Sequence, residues 1–267
     1  MRPLPIVTGF ALGAVLVHER RRRQRAERFA AAALETLLKA IDANDSQTGA
    51  HVRRVASYAL VIADAVGVPD RDRRTIELAS LFHDIGKIHE ALFDIVHEPR
   101  KLTPGERRAI ATHPVRGAEV LAPIATFHPW LADAVLAHHE RWDGTGYPRG
   151  IKGRKIPIAA RIVTLADTFD AITHQRRYRN GRTALAAANV ILEGRGTQFD
   201  PELVDLMLLP PVFEQITQAL RTSATLGRDL PNRRDSHAKH AAPKIKMRWR
   251  TQSTPPEPVR DHLAEAR

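Results

Sequence analysis

The chain has 267 residues, enough for one sizeable domain with a hydrophobic core. It contains no cysteine, which excludes a disulfide scaffold and a zinc site built on thiolates. Its formal net charge of +11 raises the question of nucleic-acid binding.

The excess of basic residues lies at the two ends of the chain. Residues 1–33 carry seven arginines and two glutamates, and residues 221–267 carry eleven basic and five acidic residues. Residues 34–220 hold 23 of each sign and are neutral. Basic ends are more often solvated tails than readers of DNA, so we expect no specific nucleic-acid binding.

An apolar segment at residues 4–17 precedes four arginines at residues 20–23. The arginines occupy the place of the small neutral residues of a signal peptide, which argues against a cleaved leader. A membrane-spanning helix usually needs about 20 apolar residues, so the segment is short. Two interpretations stay open: a membrane anchor with the arginines on the cytoplasmic side, or a local helix or frayed end.

The middle of the chain has the apolar spacing of amphipathic helices. Apolar residues recur three and four positions apart over residues 29–43, for example. Four other helices are predicted at residues 52–66, after the capping-box pattern at 103–106, at 130–139 and at 156–173, and a fifth begins at Asp200. Alternating polar and apolar runs are missing from the sequence, which favours an all-α fold, a compact helical bundle.

The end of the chain has a different composition. Residues 222–267 mix Pro, Ser, Lys, Arg and His with little periodic hydrophobicity, which is typical of disordered segments. We therefore predict an apolar and basic N-terminal segment at residues 1–27, a catalytic domain at 28–221 and a basic tail at 222–267.

Two motifs place histidines beside carboxylates or beside each other. The first is His83-Asp84-Ile85-Gly86-Lys87, and the second, at residues 138–148, reads His-His-Glu-Arg-Trp-Asp-Gly-Thr-Gly-Tyr-Pro. Imidazole nitrogen and carboxylate oxygen bind first-row metals, and helical bundles commonly gather such ligands from facing helices. Two such clusters in one domain indicate a two-metal hydrolase.

Neighbouring ligands constrain how two metals would be shared. Adjacent residues on a helix point about 100° apart, so we expect the pairs His83-Asp84 and His138-His139 each to serve two metals or a metal and a bridge. A carboxylate has two oxygens, which makes Asp84 the natural shared ligand. Nitrogen and oxygen ligands without sulfur favour iron or manganese.

In this combination of motifs the chain resembles the HD-GYP family, the metal-dependent phosphodiesterases of the bacterial messenger cyclic di-GMP. The resemblance covers roughly residues 42–205 and includes His113-Pro114, Asp167 to Ala171 and Arg176 to Arg179. It implies an HD-type helical bundle with a metal site in its core.

The resemblance also implies two groups of metal ligands that share Asp84. The first group is His51, His83 and Asp167, and the second is His113, His138 and His139.

Four further residues are expected in the site. Lys87 lies one helical turn after Asp84 and would stabilise phosphate charge or donate a proton. Tyr147, in a turn-forming run, would stack on a guanine. Arg176 and Arg179 share a face at spacing i, i+3, and the resemblance implies that they contact the dinucleotide.

Two positions depart from the family pattern. Some members bind a third metal through a glutamate four residues before the first histidine; this chain has Gln47 there, which favours two metals. Residues 88–101 lack the usual Gly-Ile-Pro and Lys-Pro-Gly stretches, so a groove lysine is missing or shifted to Lys101. The second departure bears on the substrate more than on the metals.

The leading hypothesis is a phosphodiesterase that converts cyclic di-GMP to the linear dinucleotide or GMP. Two alternatives stay open: an HD phosphohydrolase for another cyclic dinucleotide or nucleotide, and a non-catalytic receptor or docking module. The complete ligand set argues against the last. Because the messenger is cytoplasmic, we expect a cytoplasmic domain, either free or attached to the inner membrane face through residues 4–17.

Overall fold

The computed structural model describes residues 6–44, 46–88, 103–174 and 181–225. Within them the only β-type pairing is an isolated bridge between Arg195 and Phe199, so the predicted all-α fold is confirmed. The described residues form ten α-helices: α1 (Ile6–Asn44), α2 (Ser46–Val66), α3 (Asp70–Phe82), α4 (Pro104–Ile110), α5 (His113–Leu121), α6 (Leu131–Leu136), α7 (Ile158–Thr173), α8 (Ala184–Glu193), α9 (Pro201–Met207) and α10 (Pro210–Thr225). Short 3-10 helices occupy Ile85–Ile88, Ala122–Ile124 and Gly153–Lys155.

Helix α1 begins well before the predicted residue 29. Its side chains at residues 17–29 are almost all exposed, and Ala30 is the first buried one. Arginine, glutamate and alanine are good helix formers, and Arg23 pairs with Glu27 one turn later, so the helix continues without core contacts. Among the described residues, no helix is both long and apolar enough to cross a membrane.

The centre of the domain is built from α2, α3 and α7, which pack against one another, while α10 packs on α2. Tyr58, Phe82 and Phe169 are the largest fully buried side chains. The rings of Tyr58 and Phe169 meet edge to face, with centroids 5.2 Å apart, across the α2–α7 contact. Dense packing of this kind holds the helix ends that border the core in fixed relative positions.

Two of the sequence motifs lie at helix ends. Helix α3 ends at Phe82 and α6 at Leu136, so His83-Asp84 and His138-His139 occupy the turns that follow. The expectation that these pairs lie on continuous helices is therefore wrong. Carbonyls in a last helical turn lack intrahelical partners, and the side chains of both His83 and His138 bond to such carbonyls, which favours a turn at these places.

A glycine contact brings two of the metal-binding segments together. A Cβ on Gly86 would lie 2.1 Å from the His113 carbonyl oxygen and 2.7 Å from the Gly117 nitrogen. Because only hydrogen fits there, the 3-10 helix after Asp84 lies directly against α5. The close approach places Asp84 beside the start of α5, where His113 lies.

The remaining expectations concern the end of the last described helix and segments outside the described residues. Helix α10 continues to Thr225, four residues beyond the predicted domain boundary at 221. The tail from residue 226, the segment 89–102 and the pair Arg176 and Arg179 lie outside the described residues.

Candidate metal centre

The first ligand group joins α2, the end of α3 and α7. His51 Nε2 lies 3.3 Å from Asp167 Oδ1, and His83 Nε2 lies 4.0 Å from the same oxygen. One ligand atom from each of these three residues falls within 4.8 Å of the others. A single cation could contact all three.

The second group joins the start of α5 to the turn after α6. His113 Nε2 lies 3.1 Å from His138 Nε2, and the His139 ring centroid lies 4.9 Å and 4.2 Å from the centroids of those two rings. Their ligand atoms also fall within 4.8 Å of one another. The two groups have the same members as the partition that the resemblance implies.

Asp84 lies between the two groups. Its Oδ1 is 3.3 Å from His113 Nε2, and its Oδ2 is 3.6 Å from His83 Nε2. One carboxylate oxygen therefore faces each group, which is the arrangement that a bridging ligand requires.

Backbone carbonyls orient three of the histidines in the same way. In each case the ring Nδ1 lies within hydrogen-bond distance of the carbonyl three residues earlier: His83 with Ser80 at 2.9 Å, His113 with Ile110 at 2.7 Å and His138 with Val135 at 2.6 Å. A carbonyl oxygen can only accept a hydrogen bond, so Nδ1 carries the proton. In the neutral ring Nε2 then has a free lone pair. The three lone pairs point towards the centre.

Within the described part of the chain, several ligand atoms in the two groups have no hydrogen-bond partner and are suited to bind a cation instead. The Nε2 atoms of His113 and His138 are 3.1 Å apart, yet two lone pairs cannot form a hydrogen bond. His83 Nε2 and Asp84 Oδ1 are buried without a hydrogen-bond partner among the described residues. Buried polar atoms without partners are costly, and one cation in each group would together satisfy all four.

His51 is oriented by a carboxylate instead of a carbonyl. Its Nδ1 lies 2.7 Å from Oδ2 of Asp170, a residue that is 2% exposed. The Arg54 guanidinium donates to both oxygens of Asp170, at 2.8 and 3.0 Å, and His174 Nδ1 lies 3.0 Å from Oδ1. A carboxylate behind a histidine ligand fixes its tautomer and raises its basicity.

Burial keeps most of the histidines neutral. It lowers the pKa of His83 and His138, and with help from the nearby His113 it lowers the pKa of His139 to about 3. His51 is the exception: burial opposes its charge, but hydrogen bonds to Asp167 and Asp170 raise its pKa to about 9. Neutral imidazoles are the form that binds metals, so a cation at His51 would have to displace a proton.

The two carboxylates are held ionised. Burial disfavours their charge, but the nearby Lys87 ammonium holds the pKa of Asp84 well below its usual range. The hydrogen bond from His51 likewise lowers the pKa of Asp167. The cluster therefore presents negative charge and lone pairs to the same central point.

Lys87 and Tyr147 border the cluster. Lys87 Nζ donates to Asp84 Oδ2 at 2.7 Å from the following 3-10 turn. The Tyr147 ring stacks on the His139 ring, with centroids 4.9 Å apart and planes at 24°. The predicted substrate contact of Tyr147 would therefore use the ring face that is turned away from His139.

Sequence reasoning did not assign roles to Asp170 and Arg54. A usable signal existed, because each lies three residues after a predicted ligand, Asp167 or His51, on the same helix face. The contact between them joins α2 to α7 over 116 positions, however, and only the fold brings those positions together.

A sequence profile described as "HD domain" matches residues 35–203, well over half of the chain. The chain belongs to the HD domain family. Among curated relatives, the cyclic di-GMP phosphodiesterase response regulator RpfG of Xanthomonas campestris pv. campestris is 40% identical over 66% of this chain and 46% of its own length. The family resemblance drawn from the motifs is thus confirmed.

Other relatives carry related names. The cyclic di-GMP phosphodiesterase of Thermotoga maritima is 37% identical over 70% of this chain and 50% of its own. The 3'3'-cGAMP-specific phosphodiesterase 2 of Vibrio cholerae is 37% identical over 64% of this chain and 33% of its own. This chain thus spans half or less of the length of these relatives.

The fold also matches a solved structure. The cyclic GMP-AMP specific phosphodiesterase V-cGAP3 of V. cholerae aligns with a TM-score of 0.53 and 20% identity, covering 74% of this chain and 53% of that one. At this level of identity the match establishes the HD-type helical fold.

Proposed function

We propose that this chain is a metal-dependent phosphodiesterase that hydrolyses cyclic di-GMP to the linear dinucleotide or GMP. The observation that carries the proposal is the convergence of two ligand groups on the two oxygens of Asp84. The names of the 40% and 37% identical relatives support the substrate class.

The residues would hold two divalent cations, with iron or manganese best suited to imidazole and carboxylate ligands. His51, His83 and Asp167 would hold one and His113, His138 and His139 the other, with Asp84 shared. When bound, such a pair supplies activation of water and neutralisation of charge at the phosphodiester. Gln47 has an exposed side chain and an amide in place of a carboxylate, which supports two cations over three.

Lys87 is the proposed general acid or charge-stabilising residue. Its ammonium is held at the site edge by Asp84, and it is partly exposed, so a phosphate oxygen can reach it. Hydrolysis releases the ribose 3′ oxygen as an anion, which must gain a proton. An ammonium at this place would stabilise that developing charge or supply the proton.

Tyr147, Arg176 and Arg179 are the proposed substrate-binding residues. Replacing both arginines by alanine should raise the Michaelis constant for a cyclic dinucleotide, because they would hold the phosphate far from the metals and contribute mostly uniform binding. Hydrolysis of a small phosphodiester such as bis(p-nitrophenyl) phosphate should change little. Steady-state kinetics on both substrates checks this, and equal losses on both would contradict it.

A different cyclic dinucleotide is the second candidate substrate. It is favoured by the relatives named 3'3'-cGAMP-specific, whose identity to this chain is 37% and 38%. A non-catalytic receptor role is less well supported, because Lys87 and the complete set of ligand-type side chains are present around Asp84.

The test is hydrolysis by the purified chain loaded with Mn²⁺ or, without oxygen, with Fe²⁺. Cyclic di-GMP and 3'3'-cGAMP are each supplied and the products separated by chromatography. We expect cyclic di-GMP to be converted with the higher kcat/KM. Preference for 3'3'-cGAMP would favour the second candidate, and hydrolysis of neither would refute the enzymatic function.

A further inference from the structure

Glu140 directly follows the two histidines of the second ligand group, yet it is not itself a member of the group. Its side chain is 2% exposed. Its Oε1 accepts a hydrogen bond from the backbone nitrogen of Arg149 at 2.7 Å. The contact joins the ligand-bearing turn to the far end of residues 141–149, which we call the GYP loop.

The GYP loop lies directly on the backbone that carries the ligands. Tyr147 donates its backbone N–H to the His139 carbonyl at 3.2 Å. A Cβ on Gly146 would lie 2.3 Å from the Arg141 nitrogen and 2.6 Å from Glu140 Cα, so the loop leaves no room for a side chain there. This close approach lets the Tyr147 ring stack on His139.

His139 depends on this stacking more than the other ligands do. His83, His113 and His138 are each oriented through Nδ1 by a carbonyl, and His51 by Asp170, as described above. In the described part of the chain, the His139 ring makes no comparable hydrogen bond. Besides the rings of His113 and His138, which are ligands themselves, the stacked face of Tyr147 is the ring contact that holds its orientation.

The loop is fastened at both ends, but by bonds of different kinds. At its start, Trp142 and Asp143 donate backbone N–H groups to the carbonyls of Gln198 and Thr197. At its end, the Arg149 guanidinium pairs with Asp133 at 2.8 Å, but both side chains are partly exposed and such pairs contribute little. The bond from the Arg149 N–H to Glu140, whose side chain is buried, is the fastening beside Tyr147.

We propose that Glu140 is a positioning residue: it holds the GYP loop so that Tyr147 orients His139 for metal binding. The metal-binding part rests on the proposed function. The loop-holding part does not, because it concerns the protein without metal.

Hydrogen exchange of the metal-free full chain tests the loop-holding part. In Glu140→Ala, backbone amides of residues 144–149 should exchange about tenfold faster or more, because the Arg149 N–H has lost its acceptor and the end of the loop has lost its fastening. Amides of α6 and α7 should keep wild-type protection. Glu140→Gln should keep the loop protected, since its amide oxygen can still accept from Arg149, and Glu119→Ala on the exposed surface of α5 is the matched control.

Calorimetric titration of the same proteins with Mn²⁺ tests the metal part. Glu140→Ala should weaken one of two binding events about tenfold or more and leave the other unchanged, and Glu140→Gln should behave as wild type. Three results would overturn the proposal. The alanine variant could exchange like wild type, or α6 and α7 could lose protection to the same extent as the loop. The glutamine variant could also be as impaired as the alanine variant. Wild-type protein that binds no Mn²⁺ would refute the proposed function and leave the exchange result to decide the role of Glu140.

Discussion

At the scale of single residues, the hydrogen bond to the ring Nδ1 sets His51 apart from His83, His113 and His138. Backbone carbonyls three residues earlier orient His83, His113 and His138. Because the acceptors are backbone atoms, a substitution at the carbonyl's residue preserves the bond as long as the local backbone keeps its conformation. His51 depends on Asp170, a side chain that one substitution can remove. The orientation of His51 is therefore sensitive to substitution of a residue outside the ligand groups.

Asp170→Asn should weaken the first group selectively. The amide cannot neutralise Arg54, and a buried charge without its partner lowers the free energy of unfolding by roughly 3–5 kcal/mol. Binding of the cation at His51 should fall about 10- to 100-fold. Urea unfolding and Mn²⁺ titration measure the two effects.

Asp205→Asn is the matched control for that substitution. Asp205 pairs with Arg195 on the exposed surface, where loss of the pair costs about 1 kcal/mol or less. If Asp170→Asn reduced both binding events equally, the proposed assignment of Asp170 to the first group alone would be wrong.

At the scale of secondary-structure elements, the site depends on where helices end and how closely they approach. The amphipathic spacing predicts that α2 and α7 exist. For α7 it also places both ends within a few residues of the observed ones. It does not predict that α6 stops at Leu136, because that end depends on the side-chain bond from His138 to the helix's last turn. It also misses residues 18–28 of α1, whose mostly charged and exposed side chains give no apolar pattern.

The family resemblance implied the membership of both ligand groups, whereas the roles of the supporting residues were not predicted. Adjacent residues such as His83 and Asp84 can be recognised as candidate ligands from residue type and spacing alone. The roles of Asp170 and Glu140 depend on contacts with residues distant in sequence or on a loop that folds back, and neither has a periodic signal.

Gly86→Ala should separate two elements of the site. The added methyl group would meet backbone atoms of His113 and Gly117, which cannot rotate away, so overpacking should cost about 1–3 kcal/mol. The 3-10 helix would move away from α5 and carry Asp84 with it. Mn²⁺ affinity, measured beside the free energy of unfolding, should therefore fall.

Gly105→Ala provides the comparison for Gly86→Ala. Its Cβ would have Thr103 Oγ1 at 4.0 Å as its nearest neighbour, and it lies in the first turn of α4, where alanine is favoured. This variant should be neutral or more stable by up to about 1 kcal/mol. Equal destabilisation by both substitutions would contradict the packing argument.

At the scale of the whole molecule, the charge separates into a neutral domain and basic ends. The exposed part of α1 carries six arginines between residues 20 and 28, and its side chains make few contacts with the domain. Clustered arginines on an exposed helix attract anionic lipid headgroups, each contributing about 1 kcal/mol near the surface. We therefore expect these arginines to contribute to any attachment of the chain to an anionic membrane surface.

Co-sedimentation with vesicles containing phosphatidylglycerol tests this attachment. The full chain should sediment with the vesicles at low salt and be released as the salt concentration rises, because screening weakens the attraction. Replacing the arginines at residues 20–23 by glutamine should reduce the bound fraction. Full-length protein that stays in the supernatant at low salt would eliminate the attachment.

The central claim is that two cations share Asp84, and anomalous scattering from crystals loaded with Mn²⁺ tests it most directly. We expect two peaks, one beside His51, His83 and Asp167 and the other beside His113, His138 and His139, with one oxygen of Asp84 bound to each. A single peak, three peaks, or two peaks that Asp84 does not bridge would contradict it.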